Sequence, residues 1–100
     1  MNWAQHAIER LQKGETATVT PHGQSMRPKV MSGATVTLEP VSDLKTLQKK
    51  DIVLCKVNGN VYLHLVKATR GDSVLIGNNR GGTNGWTRTV YGRATHIENP

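Results

Sequence analysis

A serine lies between a glycine two residues before it and a proline three residues after it, in Gly23-Gln24-Ser25-Met26-Arg27-Pro28. Gly23 reaches backbone torsions closed to other residues. Pro28 fixes its own φ and pushes Arg27 toward extended geometry, so the chain turns sharply around Ser25 and Met26. A hydroxyl on such a turn projects into solvent beside backbone N–H groups that no secondary structure has used. A serine nucleophile and its oxyanion hole require that local geometry. An ordinary surface turn has the same composition, and the motif alone does not separate the two.

The second candidate is His64, in the run Val61-Tyr62-Leu63-His64-Leu65-Val66. Strand alternation puts Val61, Leu63 and Leu65 on one face and Tyr62, His64 and Val66 on the other. Lys67 then falls opposite His64 unless a bulge intervenes. A neutral imidazole accepts a proton near pH 7, although a histidine at a strand centre is more often a packing residue. His6, His22 and His96 with Cys55 show no close zinc-type spacing, so neither a metal nor any other cofactor is expected. His22, three residues before Ser25, is expected as a polar turn residue bordering whatever cleft the serine lines.

The elements that must position these groups change period once. Residues 2–13 read as a short amphipathic helix: Trp3, Ala7, Ile8 and Leu11 recur at helical spacing, Asn2 caps the start and Gly14 ends it. From residue 16 the period is two, with strands expected at 16–20, 34–38, 52–57, 61–66, 73–76 and 89–97. Asn58-Gly59-Asn60 is a strong hairpin signal, because Asn and Gly tolerate the positive φ of tight strand-joining turns. Residues 80–85, Arg-Gly-Gly-Thr-Asn-Gly, read as a surface loop ahead of Trp86. One helix (1–14) and a β region (16–98) give a single mainly β domain, a coiled and partly open barrel.

The totals agree with a small unit. One hundred residues with 36% hydrophobic and no phenylalanine build a modest core from Val, Leu, Ile, Met and two tryptophans. No apolar run approaches the roughly 20 residues of a membrane helix, and no signal-peptide pattern opens the chain, so a cytoplasmic protein without membrane insertion is expected. The single cysteine, Cys55, fits a reducing compartment and a buried inert thiol. A net charge of +6 keeps an anionic partner in view. The basic residues are scattered, however, and only four aromatics are available for stacking, so nucleic acid is the least favoured partner.

Taken in order, these residues resemble the LexA/signal-peptidase-like superfamily of serine peptidases. Gly23-Gln24-Ser25-Met26-Arg27-Pro28, then Ser32-Gly33 and Thr35-Val36-Thr37, is similar to the family's nucleophile box, a Gly-x-Ser-Met-x-Pro motif followed by Gly-Asp and a strand. Residues 50–57 resemble its Gly-Asp-Ile-Val strand, residues 62–67 the strand bearing the general base, and Leu75-Ile76-Gly77-Asn78-Asn79 its later Gly-Asp-Asn segment. The base is a lysine in bacterial signal peptidases and self-cleaving repressors. It is a histidine in the signal peptidases of the endoplasmic reticulum and of archaea, the subtype that His64 matches. The resemblance implies that Ser25 attacks a peptide carbonyl, that His64 accepts its proton, and that the loop Gly23-Gln24-Ser25-Met26 holds the oxyanion through the Ser25 N–H.

Three positions depart from the family pattern. Gly-Asp after the nucleophile is Gly33-Ala34, the later Gly-Asp-Asn is Gly77-Asn78-Asn79, and the following acidic residue is replaced by Asn84. Asn78 and Asn84 are therefore the candidates for orienting the base, with Asp51 and Asp72 as possible substitute carboxylates. With no membrane helix, no helix-turn-helix and no Ala-Gly pair, the expected activity is that of a stand-alone endopeptidase cutting a protein or peptide in trans, of a kind that fits a phage or mobile element. The alternative is a catalytically inactive peptide- or protein-binding module on the same fold. The sequence leaves the oligomeric state open.

Overall fold

β-branched and leucine-rich segments determine the architecture, some parted by two-residue turns and others by longer connections. A computed structural model describes residues 3–100. A short helix α1 (Gln5–Gln12) is followed by β1 (Ala17–Val19), β2 (Thr35–Pro40), a 3₁₀ turn (Leu44–Thr46), β3 (Ile52–Val57), β4 (Asn60–Arg70), β5 (Ser73–Gly77), β6 (Thr83–Thr87) and β7 (Val90–Glu98). All seven strands join one antiparallel sheet in the order β1-β2-β7-β3-β4-β5-β6, with β1 and β6 as open edges. The fold is thus mainly β, and the sheet is not closed. No helix among the described residues is long and apolar enough to cross a membrane.

The β3–β4 hairpin forms as its turn chemistry requires. Asn58 (φ +50°) and Gly59 (φ +84°) are both left-handed, and Val57 pairs with Asn60 across them. Positive φ at both central residues matches the right-handed twist of the flanking strands. β4 runs beyond its expected end at residue 66 because a register shift between Val66 and Ala68 lets it continue along β5 to Arg70. The irregularity falls at Lys67, where strict alternation breaks.

Two expectations are corrected. Helix α1 starts at Gln5 rather than residue 2, so Trp3 precedes it and is 49% exposed. The Asn2 cap lies outside the described residues. Residues 83–87 form a seventh strand instead of a loop: Leu75 pairs with Trp86 and Ile76 with Gly85. Glycine signals a loop, but it also serves where a strand is irregular and another chain segment comes close. Gly85 fills that role through its φ of +133°, which side-chain-bearing residues rarely adopt, and it lies against the Val57 side chain.

The sheet has two apolar sides. One gathers Ala7, Ile8 and Leu11 of α1 into one cluster with Val36, Leu38, Leu54, Leu63 and Leu65. The other gathers Val53, Cys55, Val57, Val66, Val74 and Ile76. Each large side chain so buried stabilises the fold by about 1.5–3 kcal/mol. The second side exists because the sheet curls: Thr87 Oγ1 donates to the Lys56 carbonyl at 2.7 Å, and the Lys56 N–H donates to the Thr89 carbonyl at 3.0 Å. This curl returns the β6 region to β3 of the hairpin, and so brings the Asn84 side chain within reach of His64 on β4.

Candidate active site

Ser25 lies in the connection between β1 and β2, and this segment is held from several directions. Met26 and Val30 are buried in the first core at 4% and 3% exposure. The Gly33 N–H donates to the Pro21 carbonyl at 2.9 Å, closing the base of the loop. The Asn79 N–H donates to the Ser25 carbonyl at 2.9 Å, and Asn79 Nδ2 donates to the Arg27 carbonyl at 2.9 Å. From the C-terminal end, Asn99 Oδ1 accepts from the Met31 N–H at 2.9 Å. Gln24 turns outward, its Oε1 accepting from Arg27 at 2.7 Å. The backbone around Ser25 is therefore tied down although it belongs to no strand.

His64 sits in β4 opposite Val53 of β3 and is 7% exposed. Its Nε2 lies 3.1 Å from Ser25 Oγ, so two residues 39 positions apart in the chain meet. Its Nδ1 lies 2.7 Å from Asn84 Oδ1. An amide oxygen only accepts, so Nδ1 carries the proton and the Nε2 lone pair faces the serine hydroxyl. Tyr62, two residues earlier on the same strand face, stacks on the ring with centroids 4.9 Å apart and planes 22° from parallel. The imidazole is thus fixed by a hydrogen bond at each nitrogen and a ring against its face. Burial lowers its pKa below the ordinary 6.5, opposed by the smaller effect of the Asn84 hydrogen bond, so neutral pH leaves it unprotonated.

Asn84 is the amide at His64. Asn78 is engaged elsewhere: its Oδ1 accepts from the N–H groups of Arg80 (2.8 Å) and Gly82 (2.9 Å), shaping the turn before β6. Neither aspartate substitutes for a carboxylate at the imidazole. Asp51 accepts from the Gln48 N–H at 2.8 Å and stands 3.9 Å from Arg93, while Asp72 pairs with Arg88 at 3.6 Å. Lys67 runs over Gly77, where a Cβ would be 2.7 Å from its Cε. Cys55 is fully buried with its thiol pushed up to about 12, so it is not a nucleophile. Among the described residues, no group of three His, Cys, Asp or Glu side chains converges in a way that could hold a metal ion.

A cleft of about 500 Å³ opens at the pair. One wall is the consecutive run 20–23, leading from β1 into the Ser25 loop, and the opposite wall is the run 61–64 of β4. Alternate residues of a strand point to opposite faces, so four in succession line one cleft only where the strand edge is open. β4 pairs with β5 only from Leu65 onward, which leaves that edge open at 60–64. His22 borders the cleft, as does Trp3. The sequence patterns missed Trp3 as a wall, since helical spacing assigned it to the α1 core. They also missed Asn79 as a brace, for which no spacing rule exists. Tyr62 was detectable from its two-residue offset to His64.

Comparison of the chain with protein-family models and with curated protein sequences finds no match.

Proposed function

We propose that this chain is a serine endopeptidase of the LexA/signal-peptidase-like kind, acting in trans on a protein or peptide in a reducing compartment such as the cytoplasm. The observation that carries the proposal is the 3.1 Å approach of Ser25 Oγ to His64 Nε2, with the far nitrogen bonded to Asn84. About 2.6–3.2 Å is the reach a general base needs. In this mechanism Ser25 Oγ attacks the scissile carbonyl carbon while its proton passes to Nε2. The Ser25 N–H faces the oxyanion. The carbon–nitrogen bond then breaks, and the departing amine takes the proton from Nε2. Water attacks the acyl-serine next, giving its proton to Nε2, and Ser25 is regenerated as that proton returns to its oxygen.

Burial of His64 suits the base role, since a depressed pKa keeps the imidazole neutral without the deep desolvation a lysine base requires. Asn84 sets the tautomer but carries no charge to stabilise the imidazolium formed during attack. That observation favours a second reading, a catalytically silent module on the same scaffold. There an extended peptide would add to the open edge of β4 at 60–64 through main-chain hydrogen bonds.

A fluorophosphonate probe separates the two. The peptidase reading expects covalent labelling of Ser25, lost in Ser25→Ala and in His64→Ala, with a rate that rises with pH through an inflection below 6.5 as His64 loses its proton. Absence of labelling in the folded wild-type protein, with extended peptides still bound, would establish the silent module instead.

A further inference from the structure

The wall of the cleft carries chemistry that neither Ser25 nor His64 uses. Met26, Val30, Met31, Val61 and Leu63 face it, and Trp3 closes one side. Among the described residues no lysine, arginine, aspartate or glutamate lines it, and the only titratable side chains there besides Tyr62 are the two imidazoles, His22 and His64. Trp3 is one of two large apolar side chains left exposed among the described residues, and it is the one at the cleft. A volume of about 500 Å³ falls in the range of pockets that enclose sizeable ligands, and a methyl group would leave it nearly empty.

From these features we infer that the cleft selects peptides by a bulky apolar side chain, of leucine to phenylalanine size, seated against Trp3, Met31 and Val61 next to the residue presented to Ser25. Two physical effects point the same way. Seating such a side chain covers the exposed indole and removes apolar surface on both partners from water. A charged side chain would enter a space with no opposite charge in its wall, and would lose its hydration without compensation. A small side chain would gain little contact. Trp3 and Val61 are therefore specificity-determining residues, and Trp3 acts from outside the helix to which its spacing assigned it.

The inference rests on the cleft being where the substrate binds, but not on turnover, so it is tested with the nucleophile removed. In Ser25→Ala combined with Trp86→Phe, Trp3 is the sole tryptophan and its fluorescence reports on the cleft. The probes are capped octapeptides of Ser and Thr with one central residue, Leu, Phe, Ala, Asp or Lys. The Leu and Phe peptides are expected to shift Trp3 emission to shorter wavelength and to bind at least about 10-fold more tightly than the Ala peptide, with Asp and Lys weakest. Val61→Phe, at a partly exposed position, should remove most of the Leu and Phe advantage by filling the cleft. Equal binding of all peptides, preference for Ala, binding without a change at Trp3, or no binding by any peptide would each overturn the inference. A wild-type protein that fails to react with fluorophosphonate would sink the peptidase proposal while leaving this experiment untouched.

Discussion

Asn84→Asp tests most directly whether the hydrogen bond chain from Ser25 through His64 does chemistry. The substitution exchanges the amide for a carboxylate of nearly the same shape, at an oxygen 2.7 Å from Nδ1. In the proposed mechanism His64 becomes an imidazolium as Ser25 attacks, with only the neutral Asn84 amide at its far nitrogen. A neutral hydrogen bond contributes about 0.5–1.5 kcal/mol, and one to an ionised group about 1.5–3 kcal/mol. The carboxylate therefore adds roughly 1–1.5 kcal/mol to the state with charged His64. At 1.36 kcal/mol per tenfold in rate, labelling by a fluorophosphonate should accelerate about 10-fold. The gain is far smaller than the roughly 10⁴ lost when aspartate becomes asparagine in a Ser-His-Asp triad, where the amide leaves the histidine in the wrong tautomer. Here the amide already presents its oxygen to Nδ1, so only the charge is missing. The same substitution should raise the His64 pKa, and the inflection of labelling rate against pH should move up with it. The assay is stopped-time labelling from pH 5 to 9 with parallel imidazole titration by NMR. A folded Asn84→Asp protein whose imidazole pKa rises but whose labelling rate stays flat or falls would refute the reasoning.

The depressed His64 pKa also has a consequence for stability. The folded state binds its proton more weakly than the unfolded chain, whose histidine titrates near 6.5. Between the two values the unfolded state holds more protons, so stability is fully present above the unfolded pKa and is lost as pH falls through the folded one. Thermal melts should show Tm falling below pH 6.5, with a shallower fall in His64→Gln. Asn79→Ala removes the Nδ2 bond to the Arg27 carbonyl, and should cost about 0.5–1.5 kcal/mol in urea unfolding while slowing labelling of Ser25. In Gly77→Ala the added Cβ would stand 2.5 Å from the Gly82 carbonyl oxygen, a backbone atom that cannot rotate aside. Overpacking of about 1–3 kcal/mol is expected, along with slower labelling, because the displaced turn leads directly into the strand holding Asn84. Wild-type melting and labelling in Gly77→Ala would show that turn to be irrelevant to the site.

Which parts of this arrangement were legible in the sequence follows from the range of the interactions involved. The hairpin at Asn58-Gly59 is local, its torsions are required by residue type, and it was found. The face assignment of Tyr62 and His64 also follows from a period of two, and the stacking of the two rings agrees with it. Residues 83–87 failed for the opposite reason. Their strand depends on pairing with β5 and on the curl that lays Gly85 near Val57, while the local composition signals a loop. Trp3 fits a helical stripe by spacing, but α1 begins two residues beyond it, and no pattern says which way a residue before the first turn will face. Asn79 reaches Ser25 and Arg27 across more than fifty positions, a contact that only the folded chain defines.

The peptidase and binding readings require different things of the same residues, and the bracing around Ser25 bears on the choice between them. A peptide-binding edge needs only the open stretch of β4 and an apolar wall, and a loose loop opposite would serve it adequately. Yet the segment carrying Ser25 is held by buried Met26 and Val30, by both donors of Asn79 and by Asn99. His64 is restrained at both nitrogens and across its ring. Ordering these groups costs side-chain entropy of up to about 1–2 kcal/mol for the larger side chains. Such placement matters when a hydroxyl must be held within bonding reach of a base, where a displacement of about 1 Å can cost 10²-fold in rate. That restraint supports the proposed nucleophile over a passive groove, and within that proposal the neutral Asn84 is expected to slow the chemistry without changing its course.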